Sequence, residues 1–285
     1  MYKKIKPEIL TPDIILYSDI VYSNQFNDFL QESIPLEISI LRPFYKIQEW
    51  EALPLFVWFT GGAFRSSTPL RDIPQLVDFA KKGYVVASVD YRVSSESLFP
   101  AQIQDAKAAI RFLKTHHKKY GIDPERVVAG GHSAGGYIAS MLAATDGVEM
   151  FETDEWQGVS SAVKGAVCMS SGDLLLEGKA RRVTGREIQP IDLLMGCNVE
   201  LHPERAKEGS ITRYLNDKTA PILMIHGECD ELINVEYARA FYKELEKAGV
   251  DADFYEIEGA GHGTAELRQD VIHQIMMDFF EKVLS

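Results

Sequence analysis

Three cysteines in 285 residues are too few and too scattered to brace a fold covalently. Cys168, Cys197 and Cys229 are odd in number and form no closely spaced pair, so neither a disulfide framework nor a thiolate metal site is expected. Long hydrophobic runs are missing too. The longest, such as Leu53 to Phe59 and Val85 to Val89, are strand-sized and well short of the roughly 20 residues that span a bilayer. The N-terminus (Met1-Tyr2-Lys3-Lys4-Ile5-Lys6-Pro7) is basic, but charged and polar residues follow it where a signal peptide needs an apolar stretch, so a cytoplasmic chain is expected. Positive charge is in deficit: 30 Lys and Arg face 42 Asp and Glu, a formal net charge of -12. That sign repels nucleic-acid phosphates and anionic membrane surfaces, so neither is expected as a partner. No internal repeat or low-complexity tract is visible. The chain is 46% hydrophobic and 25% charged, which argues against a disordered or fibrous protein. At roughly 150 residues per domain, its length permits one large domain or two small ones.

Two kinds of apolar pattern are present. Ile34 to Leu41 alternates (Ile34, Leu36, Ile38, Ile40), the signature of a strand with one wet face and of an antiparallel start to a sheet. From Leu53 onward the runs are continuous. Leu53 to Phe59 ends in Gly61-Gly62, Val85 to Val89 in Asp90, Val127 to Ala129 in Gly130-Gly131, Val163 to Met169 in Ser170-Ser171-Gly172, and Pro221 to Ile225 in His226-Gly227. Short runs without alternation suggest strands buried on both faces, hence a parallel sheet. Helical spacing lies between them: Ile103, Ala106, Ile110 and Leu113; then Ala238, Phe241, Tyr242 and Leu245, with Asn234 as N-cap and Gly249 as stop; then Ile272, Ile275, Met276, Phe279 and Val283. Strand and helix alternating along the chain predict a doubly wound α/β sheet. Residues 173–216 break the rhythm with irregular polarity and scattered Gly and Pro, too long for an ordinary loop. They are expected to form an insertion with its own short helices over the C-terminal edge of the strands, where open parallel sheets bind ligands.

The strongest chemical signal is Gly131-His132-Ser133-Ala134-Gly135-Gly136, between an apolar strand and a helical pattern (Tyr137, Ile138, Met141, Leu142). A sharp strand-to-helix turn there would lift the Ser133 hydroxyl above the sheet, and residues two positions either side must lack a Cβ, hence Gly131 and Gly135. A free hydroxyl is a poor nucleophile and needs a base. Of seven histidines, His116 and His117 precede two lysines and read as solvated, and His132 reads as pointing away from the site. His262 stands in a glycine-flanked loop (Gly259-Ala260-Gly261-His262-Gly263) after the strand Phe254 to Ile257, and is the expected base. The third member should be an acid between serine and histidine. Asp230 is expected, with Glu228 and Glu231 as rivals. Thr60-Gly61-Gly62-Ala63-Phe64 follows a strand, and its backbone can approach a substrate closely. Gly62 and Ala63, with Ala134 at a helix N-terminus, are the expected oxyanion donors.

With these motifs the chain resembles an α/β-hydrolase fold esterase, of the branch holding hormone-sensitive-lipase-like carboxylesterases and acetylxylan or feruloyl esterase-like sugar hydrolases. The resemblance runs from about Leu41 to the C-terminus. It includes Asp90-Tyr91-Arg92, Pro100 to Asp105 leading into Ala109-Ile110-Arg111-Phe112-Leu113, Tyr120-Gly121-Ile122-Asp123-Pro124, and Ala220 to Gly227. These additional motifs read as structural: turns, the start of a helix and a salt bridge. The resemblance implies one α/β-hydrolase domain over residues 1–285, a mostly parallel sheet of about eight strands with helices on both faces, a lid over 173–216, and no metal or organic cofactor. One departure stands out: Thr60-Gly61-Gly62 replaces the family's usual His-Gly-Gly.

Ser133, Asp230 and His262 would then hydrolyse a small-molecule ester through an acyl-enzyme, faster as pH rises and an imidazole base loses its proton. Phe64, Leu174 and Leu175 are candidate substrate contacts. Leu174, Leu175 and Leu176 could equally be the insertion's own core. The modest insertion favours a short acyl group, and the resemblance favours one on a sugar. Lys179, Arg181, Arg182 and Arg186 form a basic cluster that reads first as a solvated face and otherwise as a contact for an acidic substrate group. Rival readings are a non-catalytic ligand-binding protein on the same fold and a small serine peptidase or formamidase. The sequence leaves open assembly as a homodimer.

Overall fold

The structure, a computed structural model, describes residues 1–44, 51–176 and 188–285. Eight strands form one sheet: β1 (Asp13–Asn27), β2 (Glu32–Phe44), β3 (Leu53–Phe59), β4 (Val85–Val89), β5 (Ile122–His132), β6 (Gly165–Met169), β7 (Ile222–Gly227) and β8 (Ala252–Ile257). Their order across the sheet is β1-β2-β4-β3-β5-β6-β7-β8. β1 pairs antiparallel with β2 and β2 antiparallel with β4, and every later pairing is parallel. This is the α/β-hydrolase fold, with the mostly parallel sheet and the antiparallel start expected. The sequence marks an antiparallel edge or meander over the first 50 residues but places a strand only at Ile34 to Leu41, and β1 supplies the edge. It lies at the sheet edge, and most of its residues are exposed or half-buried, so it carries no continuous apolar run.

The main helices are α1 (Ile73–Lys81), α2 (Ala101–Thr115), α3 (His117–Tyr120), α4 (Ala134–Ala144), α5 (Pro190–Met195), α6 (Pro203–Glu208), α7 (Val235–Lys247) and α8 (Asp270–Leu284). Strand period separates two cores. Leu55, Val57 and Phe59 of β3 face a cluster with Ile103 and Ile110 of α2, Ile138 of α4 and Phe241 of α7. Phe56 and Trp58 face the opposite cluster, with Leu76 and Phe79 of α1 and Met276 and Phe280 of α8. Burial on both faces is why β3 reads as unbroken hydrophobic sequence. The caps of α7 are as expected: Asn234 Oδ1 accepts the Glu236 N–H at 2.9 Å, and Gly249 follows the helix at φ +71°. His116 departs from expectation. Its ring is half-buried, 4.3 Å from the Phe112 ring centroid and 5.1 Å from that of Trp156.

The additional motifs hold the sheet's C-terminal edge together. Arg92 grips the fully buried Asp105 through Nη2 to Oδ1 at 2.7 Å and Nε to Oδ2 at 2.9 Å. Gln102 Nε2 donates to the Arg92 and Ser97 carbonyls. The described part of 173–216 contains α5, α6 and a short turn at Ile211–Tyr214. Its two ends are stapled by buried Asp173, whose Oδ2 accepts from the Ser210 hydroxyl at 2.6 Å and from the Thr212 N–H and hydroxyl at 3.0 Å each. The Lys179, Arg181, Arg182 and Arg186 cluster lies outside the described residues. Among the described residues no helix is long and apolar enough to cross a membrane.

Candidate active site

Ser133 sits between the end of β5 and the start of α4 with φ 57° and ψ -119°, a conformation costly for a residue with a side chain. The neighbouring glycines make the turn sterically open. A Cβ on Gly135 would fall 1.8 Å from the Phe59 carbonyl oxygen, and one on Gly131 would fall 2.3 Å from the Gly135 carbonyl carbon. The Ser133 N–H is fixed to the Met169 carbonyl at 2.8 Å.

The loop after β3 comes up against this turn. A Cβ on Gly61 would lie 2.7 Å from the His132 carbonyl oxygen and 3.0 Å from Ser133 Cβ, so the loop's backbone is packed on the elbow. Ala63 and Phe64 both take positive φ, 57° and 58°. Their neighbours hold them there. The Tyr91 hydroxyl donates to the Thr60 carbonyl at 2.8 Å, and Ser94 donates to the Phe64 carbonyl through its N–H at 2.7 Å and its hydroxyl at 2.8 Å. Thr60 is fully buried, and its Oγ1 accepts the Thr68 N–H at 3.3 Å. The threonine thus braces the loop's return.

Asp230 follows β7, and its carboxylate is saturated. Oδ1 accepts the N–H groups of Leu232 at 2.9 Å and Ile233 at 2.8 Å. Oδ2 accepts from His262 Nδ1 at 2.8 Å and lies 3.2 Å from His226 Nε2. Burial opposes the charge, but hydrogen bonds from His226, His262 and the Ile233 N–H outweigh it and hold Asp230 well below the usual carboxylate range. Because a carboxylate only accepts, the His262 proton sits on Nδ1 and Nε2 is free to act as a base. The rivals do not share this place: Glu228 is exposed and accepts the Gly259 N–H at 3.3 Å, and Glu231 is exposed.

At the site, two further histidines differ from the sequence reading. His132 does not point away: its ring centroid lies 4.8 Å from that of His262, and it lines the same cavity as Ser133. The turn at Ser133 rotates the chain, so strand alternation does not extend through it. Burial, and then the charge of His262, push His132 down to about 3, so it stays neutral. The sequence marks His226 only as the end of a strand. It is buried, donates through Nε2 to the Ile233 carbonyl at 2.8 Å, and touches Asp230. Its spacing of four residues from Asp230 across a turn was the one available signal.

A cavity of about 590 Å³ opens over these groups. Ser133, His262, Gly62, Ala63, Ala134, Phe64 and Leu174 all line it. Leu175 does not. It is fully buried in the core, against the segment at Gly209. The size suits a small-molecule substrate.

The BD-FAE family model matches residues 44–245. The chain is 28% identical over 213 residues to the esterase LipC of Mycobacterium tuberculosis, covering 74% of this chain and 53% of that protein. It is 24% identical over 241 residues to a probable isoprenylcysteine alpha-carbonyl methylesterase, ICMEL1, of Arabidopsis thaliana, covering 81% and 50%. The chain therefore spans about half the length of the curated relatives it matches. Among solved structures, a truncated carbohydrate esterase from gut microbiota superposes with a TM-score of 0.79 at 23% identity over 97% of this chain and 98% of that one. The propionate-bound esterase Est2 of Thermogutta terrifontis superposes at 0.72 with 26% identity, over 97% and 96%.

Proposed function

The chain belongs to the BD-FAE family, and from that premise we propose that it is a serine carboxylic-ester hydrolase acting on small or short-acyl esters, acylated sugars among them. The observation that carries the reading is the 2.8 Å hydrogen bond from His262 to a saturated Asp230, on the wall of a cavity that also holds Ser133 in its strained turn. The relatives named as esterases support the reaction class.

In this reading Ser133 Oγ attacks the ester carbonyl carbon while His262 Nε2 takes its proton. The carbonyl oxygen becomes an oxyanion facing the N–H groups of Gly62, Ala63 and Ala134, each worth about 3 kcal/mol to the transition state. The C–O bond to the alcohol breaks, and the leaving oxygen takes the proton from His262. Water then attacks the acyl-enzyme, giving its proton to His262, and Ser133 regains a proton as the carboxylic acid departs. The described parts of the insertion, 173–176 and 188–216, act as a lid: Leu174 and Ile191 supply part of the cavity wall, and Phe64 completes an apolar surface for a short acyl chain.

The test is a p-nitrophenyl ester series with Ser133→Ala and a fluorophosphonate label. Turnover is expected to favour acetate and butyrate over long chains, to fall by at least about 1,000-fold in Ser133→Ala, and to coincide with labelling at Ser133. Absence of both labelling and turnover would favour a non-catalytic binding protein.

A further inference from the structure

We propose that the ester taken by this site carries an anionic group, a carboxylate or phosphate, on its alcohol half, bound by Arg65, Arg71 and Arg268. This rests on the hydrolase reading above and narrows its substrate. The three arginines line the same cavity as Ser133 and His262, although they come from separate segments: the loop after β3, the turn at Pro69–Asp72, and the turn at Ala265–Arg268. Asp72 is the one carboxylate in the described cavity lining, and it is already engaged by Arg71 Nε at 3.0 Å and by Trp58 Nε1 at 2.9 Å. Neither Arg65 nor Arg268 pairs with a carboxylate among the described residues. The cavity is thus cationic in a chain of net charge -12. All three residues are exposed, so they can meet an incoming anion from solvent, and the guanidinium fork matches a carboxylate or phosphate bidentately.

Two of the three cations, Arg71 and Arg268, lie on one side, while Arg65 follows Phe64 in the loop after β3. Phe64, Leu174 and Ile191 belong to the core beneath α2 and α4 and form the apolar wall. Trp58 and Leu267 belong to the opposite core, with Arg71 joined to Trp58 through Asp72 and Arg268 adjacent to Leu267. The charges of Asp72 and Arg71 reach His132, whose ring lies beside His262. Arg71 and Arg268 therefore flank the His262 side, where the departing alcohol must collect its proton. The apolar wall is left to the acyl group.

The experiment compares 4-acetoxybenzoate with its neutral amide, 4-acetoxybenzamide, which shares the acetyl group and differs in charge on the alcohol half. Phenyl hydrogen succinate against phenyl butyrate places the charge on the acyl half instead. The wild-type protein is expected to prefer 4-acetoxybenzoate by about tenfold in kcat/KM, and the Arg65→Gln/Arg268→Gln double variant to bring that ratio close to one. The ratio is internal to each protein, so a change in active fraction does not alter it. A wild-type ratio of one or less, a ratio unmoved in the double variant, or a preference for charge on the acyl half would overturn the inference and leave the hydrolase standing. Turnover of none of these esters, nor of p-nitrophenyl acetate, would overturn both.

Discussion

His226 sets how firmly Asp230 is aimed. Its Nε2–H is shared between the Ile233 carbonyl and Asp230 Oδ2, so one buried ring ties the acid to the backbone that also supplies its N–H donors. His226→Phe removes that donor and leaves a buried carbonyl short of a partner, which costs on the order of 1–3 kcal/mol. We expect kcat/KM to fall by about tenfold in His226→Phe and to recover largely in His226→Gln, whose amide can reach the Nε2 position. Full activity in the phenylalanine variant would remove His226 from the positioning of Asp230. A second residue bears on stability. Asp90, at the end of β4, is pushed up to about 6 from 3.8, chiefly by burial. A carboxyl with a raised folded pKa keeps its full contribution below the unfolded value and loses it as pH rises through the folded one. Asp90 should therefore cost up to about 3 kcal/mol by neutral pH. Asp90→Asn is expected to match the wild type near pH 4 and to exceed it at pH 7 in urea denaturation. Asp230, lowered rather than raised, acts equally in both proteins and cancels. A difference that stays constant with pH would refute the assignment to Asp90. Ser133, Gly131, Gly135, Asp230 and His262 could be singled out from sequence because steric and chemical demands select residue types there. The contacts of His226 and His132 could not, since both depend on how a turn rotates the chain.

Elements differ in legibility for a physical reason. β3, β4 and β6 are buried on both faces, and burial writes itself as an uninterrupted apolar run. β1 pairs only with β2 at the edge, and α5 and α6 are six residues each, held by tertiary contacts rather than by periodicity. Between these short helices and the sheet stands Asp173, which joins the start of the 173–216 segment to Ser210 and Thr212 near its end. Its oxygens receive four hydrogen bonds, including the Leu175 N–H at 3.0 Å, and burial raises its pKa despite them. Asn in its place can satisfy at most part of that donor set. Asp173→Asn is expected to lower stability by about 1–3 kcal/mol and to raise KM, because Leu174 and Ile191 belong to the cavity wall this staple positions. Unfolding at the wild-type denaturant midpoint with unchanged KM would show that the staple carries neither stability nor the wall.

At the scale of the molecule, charge has two opposing roles. The cavity collects arginines from sequence positions that show no basic cluster, so its sign was invisible along the chain even though the net charge of -12 was plain. An acidic envelope repels an anionic ester during approach, whereas the arginines attract it on arrival. The two differ in range. The Debye length is about 30 Å at 0.01 M salt, about 10 Å at 0.1 M and about 3 Å at 1 M. Moderate salt therefore silences the envelope while contacts a few ångströms long persist, and only high salt weakens those as well. The kcat/KM ratio of 4-acetoxybenzoate to 4-acetoxybenzamide should accordingly climb between about 0.01 and 0.1 M salt and decline toward about 1 M. In the Arg65→Gln/Arg268→Gln variant the rise should remain and the decline should shrink, because only the short-range partner has been removed. A ratio that declines steadily from the lowest salt would mean that the envelope contributes nothing to approach and that attraction within the cavity governs the whole range.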